Sequence, residues 1–137
     1  MKRGLVCAIA LALAGLSAPH AYGDDAFGKR NGIPYASGGI GLESRQALLA
    51  RQGDYNLMVT LARRDGHYLG GATIAIRDRT GKTVLEIEAE GPWILAKLPP
   101  GTYTVDAKVS GAARSSRVAI EAKGLKRVRL IWDREPV

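Results

Sequence analysis

A chain of 137 residues with 20 basic and 13 acidic side chains carries a formal charge of +7 and holds a single cysteine, Cys7. The length suits one domain. A lone cysteine excludes an internal disulfide framework and any site built on several thiolates.

Lys2 and Arg3 precede an apolar run over 5–16, and small residues follow, with Ala21 and Gly23 at −3 and −1 of a cut before Asp24. This three-part layout predicts a signal peptide over 1–23. The apolar run is too short for a permanent membrane anchor, so the expected mature protein is periplasmic or secreted. Cleavage removes Cys7, and the mature chain then holds no disulfide and must rely on its core. It keeps 18 basic against 13 acidic side chains. That excess suits an anionic envelope polymer or an ordinary soluble surface with charged strand edges. Nucleic acid is not an expected partner outside the cytoplasm.

Residues 24–41 are rich in glycine and small side chains, which predicts a flexible N-terminal arm at least to Ile33. The glycine-dense run 35–41 follows no strand of a βαβ unit, so it is no dinucleotide fingerprint and reads as a flexible or tightly turning loop. Residues 43–52 have the composition of a short helix stopped by Gly53, with Leu42, Leu49 and either Ala47 or Leu48 facing inward. So short a helix must dock, either on its own domain or on a partner.

From Tyr55 the pattern changes to period two. Strands are expected at 55–62, 72–77, 83–90, 93–98, 102–109, 113–121 and 125–132. Asp78-Arg79-Thr80-Gly81 and Ser110-Gly111 mark turns. In 83–90, Leu85 and Ile87 alternate with Glu86, Glu88 and Glu90, which marks a face turned to water. Between two strands, Pro99-Pro100-Gly101 predicts a type II turn with Pro100 and Gly101 central. Seven short strands at even spacing predict an all-β, Greek-key sandwich over 54–133, with the arm and helix occupying 24–53. No long crossover helix separates any strand pair, which excludes a parallel α/β sheet.

The chemistry-bearing residues are few. His67 is the mature chain's one histidine, too little for a His/Glu zinc site. Ser110, Ser115 and Ser116 lack a nucleophile-elbow context. The glutamate row lies along one strand face, whereas a glycosidase needs two carboxylates across a cleft. Asn31 and Asn56 are the mature chain's asparagines, and neither stands on the last strand, where an internal Lys–Asn isopeptide bond would need one. Trp93, Tyr68 and Tyr35, with His67 beside Tyr68, are the candidate ligand or partner contacts. Tyr103 and Trp132 share the parity of apolar neighbours and are expected in the core.

The stretch 90–103, Glu-Gly-Pro-Trp-Ile-Leu-Ala-Lys-Leu-Pro-Pro-Gly-Thr-Tyr, resembles the central signature of carboxypeptidase regulatory-like domains. The wider region from about 35 to 132 is similar to small exported bacterial proteins of that group. The resemblance implies a prealbumin-like, Ig-like sandwich among the carbohydrate-binding-like folds and leaves the role open, since such sandwiches serve many functions. The expected function is a non-catalytic accessory module, without cofactor or membrane anchor. It would present the arm, the loops 63–71, 78–82 and 90–92, and a sheet edge to an envelope protein or polymer. A carbohydrate-binding module using Trp93 or Tyr68 is the narrower alternative, and an enzyme with a site across an oligomer interface is the third.

Overall fold

The computed structural model describes residues 27–67, 69 and 71–133. The leader expected over 1–23 and the candidate Tyr68 lie outside the described residues. Among the described residues, nine strands and one α-helix follow in order: β1 (Phe27–Arg30), β2 (Ile33–Gly38), α1 (Leu42–Ala50), β3 (Leu57–Arg63), β4 (Thr73–Asp78), β5 (Thr83–Glu88), β6 (Trp93–Ala96), β7 (Gly101–Val109), β8 (Ala112–Ile120) and β9 (Lys126–Trp132). One sheet has the order β1-β2-β6-β3-β9 and the other β5-β4-β7-β8. Their inner faces share one core, with Leu57, Val59, Leu61 and Ile94 from the first meeting Ile74, Ile76, Leu85 and Val105 from the second. The result is a β-sandwich-like arrangement of two sheets about a common core.

The strand count is nine rather than seven, because the segment expected as a flexible arm supplies two strands. Asn31 (φ 53°) and Gly32 (φ 77°) both occupy the left-handed region. That is the geometry of a two-residue hairpin turn, and it sets Arg30 opposite Ile33. The glycine density of 35–41 reflects close packing rather than looseness. A Cβ on Gly91 would stand 2.5 Å from the Gly38 carbonyl oxygen, and one on Gly38 would stand 2.7 Å from Ser44 Oγ.

All paired strands run antiparallel except β3 and β9, which run parallel from Leu57 opposite Lys126 to Arg63 opposite Trp132. The two free sides of the sandwich differ. At one, Trp132 Nε1 donates to Ala112 O (3.1 Å) and Arg114 Nε donates to Ile131 O (3.0 Å), which ties β8 to β9. At the other, the β1–β2 hairpin faces the edge strand β5.

Helix α1 covers the outer face of the first sheet. Leu48, 1% exposed, joins Ala36, Tyr55, Met58 and Leu95 in a second apolar cluster. Leu42 (63% exposed) and Leu49 (43%) point to water, contrary to the inward placement expected of them. Polar anchoring decides the rotation: Ser44 Oγ accepts from Gly39 N (2.8 Å) and Arg45 Nη1 donates to Gly39 O (3.2 Å). Ser44 and Leu48 are four apart and share a helix face, so fixing one turns the other inward.

The Pro-Pro-Gly segment also departs from expectation. Gly101 has φ 158°, extended backbone, where the second central position of a type II turn needs about +80°. Gly101 already belongs to β7, and the Pro99 carbonyl accepts a 2.7 Å hydrogen bond from the buried Tyr103 hydroxyl. Tyr103 and Trp132 are both in the core, as the alternation predicts.

Candidate functional site

Among the described residues, two cavities lie along the seam between the β1–β2 hairpin and β5. Strand β5 is an edge strand that pairs, among the described residues, only with β4. Its outward carbonyls are met by side chains instead of a strand: Arg30 Nη1 donates to Glu86 O at 2.7 Å, and Asn31 Nδ2 to Val84 O at 3.4 Å. These two bridges hold the hairpin tip across the seam and leave a cavity on each side.

The first cavity, about 330 Å³, is lined by Arg30, Tyr35, Ser37, Ile87, Glu88 and Glu90. Tyr35 stands opposite Gly28, and a Cβ there would sit 3.0 Å from the Tyr35 ring. The missing side chain on β1 therefore gives the ring its resting place. The Arg30 guanidinium lies 5.7 Å from the ring centroid, within cation–π range. Glu88 and Glu90 are exposed. The cavity thus combines an aromatic face, one cation and two carboxylates.

The second cavity, about 520 Å³, lies between Asn31, Ile33, Lys82, Val84, Pro99 and Tyr103. Asp78 borders it but is committed to its own loop, where Oδ1 accepts from Thr80 N (2.9 Å), Thr80 Oγ1 (2.6 Å) and Lys82 N (3.1 Å). Those bonds, the Thr80 hydroxyl foremost, hold the Asp78 carboxyl below its ordinary pKa. Burial, and then the neighbouring Asp78 charge, push the Tyr103 phenol above its ordinary value. It therefore stays protonated and remains the donor to Pro99 O. Lys82 and Thr83 are the polar side chains this cavity can offer a ligand.

Of the expected contact residues, the seam includes Tyr35. Trp93 sits on β6 on the opposite face of the first sheet, half-buried beside the second cluster. A Cβ on Gly39 would lie 2.9 Å from Trp93 Cγ, so the indole rests against that glycine. His67 lies in the β3–β4 loop with its side chain 74% exposed and its Nδ1 3.0 Å from Asp65 Oδ1. The Asp65 carboxyl also pairs with Arg63, which is the main cause of its strongly lowered pKa, followed by the His67 amide. That group organises its own turn. In the loop 90–92, Gly91 and Pro92 are buried, Glu90 N donates to Ser37 Oγ (2.6 Å) and Leu61 N donates to Pro92 O (2.9 Å), while the exposed Glu90 borders the first cavity.

Sequence reasoning missed Arg30, Asn31, Lys82 and the hairpin that places them. The Asn31-Gly32 dipeptide was the available signal, since Asn-Gly strongly favours a two-residue hairpin turn. Among the described residues no three His, Cys, Asp or Glu side chains are grouped to hold a metal ion, and no helix is long and apolar enough to cross a membrane.

The class this geometry defines is a small two-sheet β-domain with a helix on one outer face and a seam at one open side. In comparisons with known proteins, no family model and no curated sequence matches the chain.

Proposed function

We propose that this chain is a non-catalytic binding module of the cell envelope that holds an extended segment of an envelope protein or polymer along the seam between the hairpin and β5. The observation that carries it is the state of β5. Among the described residues no second strand pairs with its outer edge, which the Arg30 and Asn31 side chains bridge, and the cavities beside the bridges carry the Tyr35 and Tyr103 rings. An open strand edge offers main-chain hydrogen bonds, and flanking pockets supply selectivity for side groups. The basic, apolar and small-residue layout of 1–23 supports the exported setting. The same reading takes the sandwich as a Greek-key, prealbumin-like domain of the carboxypeptidase regulatory-like kind. The Tyr103 hydroxyl bonded to Pro99 at the head of β7 supports that assignment.

A carbohydrate ligand is the second reading, favoured by the first cavity, where an aromatic ring stands beside exposed carboxylates able to accept sugar hydroxyls. The test is affinity capture from envelope extract with the mature chain, followed by amide chemical-shift mapping with the retained component. Shifts should cluster at 27–37 and 83–90, and Arg30→Ala with Tyr35→Ala should abolish retention. Shifts centred on α1 or β8 reject the seam as the site.

A further inference from the structure

The outer face of the first sheet carries a second arrangement, separate from the seam. The pairing of β3 with both β6 and β9 sets Trp93 opposite Thr60 and Thr60 opposite Arg129. Side chains at directly opposed positions share a face, so the three form one row across three strands. Arg127 Nη1 lies 3.4 Å from Met58 Sδ, which places Arg127 on that same face beside the row. Arg129, two residues on, shares its parity.

Among the described residues no acidic side chain offsets the charges of this row. Arg127 and Arg129 are both exposed, and neither pairs with a carboxylate among the described residues. Thr60 between them and the indole is half-buried. Two strand spacings separate Trp93 from Arg129, about 10 Å along the row. A pyranose ring can lie over an indole with its acidic substituent reaching a guanidinium at that distance, and a hydroxyl midway can bond the sugar's own hydroxyls. An indole alone would take any apolar surface, and arginines alone any anion. Their alignment in one row selects a ligand that offers both.

We propose that the row Trp93–Thr60–Arg129, with Arg127 beside it, binds an anionic saccharide, with the sugar stacked on the indole and its charged group held by the arginines. Charge-assisted hydrogen bonds from guanidinium to carboxylate supply the selectivity for acidic over neutral sugars. The surface is independent of the seam, and Arg30 and Tyr35 have no part in it.

The test uses the mature protein with an oligogalacturonate hexamer as probe, cellohexaose as the neutral control and inorganic polyphosphate as the sugar-free anion. Tryptophan fluorescence reads Trp93, since Trp132 is 1% exposed. The acidic oligomer should shift the emission and cellohexaose should not, and raising the salt should weaken binding. Arg129→Gln, at an exposed position, should weaken it about tenfold by calorimetry. Trp93→Ala should do the same, and Trp93→Phe, which keeps a ring against Gly39, should retain part of the affinity. Three results overturn the proposal: no binding of the acidic oligomer at millimolar concentration, equal binding of cellohexaose, or polyphosphate binding that matches it and is unaffected by Trp93→Phe.

Discussion

Asn56 illustrates what one polar side chain does in this fold. It is buried, and its amide donates to Leu98 O (2.8 Å) while its carbonyl accepts from Leu98 N (2.9 Å). Its own backbone carbonyl takes Lys126 N at 2.9 Å. One residue therefore joins the entry of β3 to the segment before the prolines and to the start of β9. Asn56→Ala strands both Leu98 groups in a dry site, and each uncompensated group costs about 1–3 kcal/mol. Chemical denaturation should show a loss of about 2–4 kcal/mol without a change in the slope of the transition. Asp78 acts at the same scale but near water. Its folded-state pKa lies below the ordinary value. Its contribution is therefore complete above about pH 3.9 and is lost as the pH falls through the lower folded value. Asp78→Asn should lower Tm at neutral pH, and its gap from the wild type should narrow at pH 3. A gap that stays constant between the two conditions would remove Asp78 as a source of acid sensitivity.

The elements differ in how openly their sequences declare them. Strand β5 was legible because Leu85 and Ile87 face the core while Glu86 and Glu88 face water, so its period is unmasked. Strand β3 has Met58 and Ala62 buried as well as Leu57, Val59 and Leu61. Its alternation carries no sign that a helix lies on its second face. Helix α1 misled for a related reason. Leu42 and Leu49 form an apolar stripe, yet the bond between Ser44 and the Gly39 amide turns that stripe outward. The helix rests chiefly on Leu48, so Leu48→Ala should cost about 2–4 kcal/mol, while Leu42→Ala should stay within about 0.5 kcal/mol. Paired thermal melts decide between the two orientations: equal losses would mean that the helix docks through the other face. The hairpin β1–β2 was declared by Asn31-Gly32, but the surrounding glycines were read as freedom when they serve close approach.

At the scale of the molecule, the parallel pairing of β3 with β9 closes the first sheet with the last strand of the fold. Val59 meets Val128 and Leu61 meets Leu130 in that pairing, and both pairs line the common core. The same strand brings Trp132 and supplies Arg129 to the outer row. A chain ending before Lys126 loses this closure and leaves one side of β3 without its ladder. It should show no cooperative unfolding transition by circular dichroism. Contacts of such long sequence separation also make folding slow for the size of the domain.

What the sequence determined by itself is local: where seven of the nine described strands lie, which residues of those strands face inward, and that Tyr103 and Trp132 belong to the core. Alternation and turn chemistry act over a few residues, so they can be read from a few residues. Which strands become neighbours was decided by the tertiary structure, because strand pairing joins residues far apart and leaves no periodic trace in either segment. The seam that gathers Arg30, Tyr35 and Glu88, and the row that aligns Trp93, Thr60 and Arg129, both exist only through such pairing and packing.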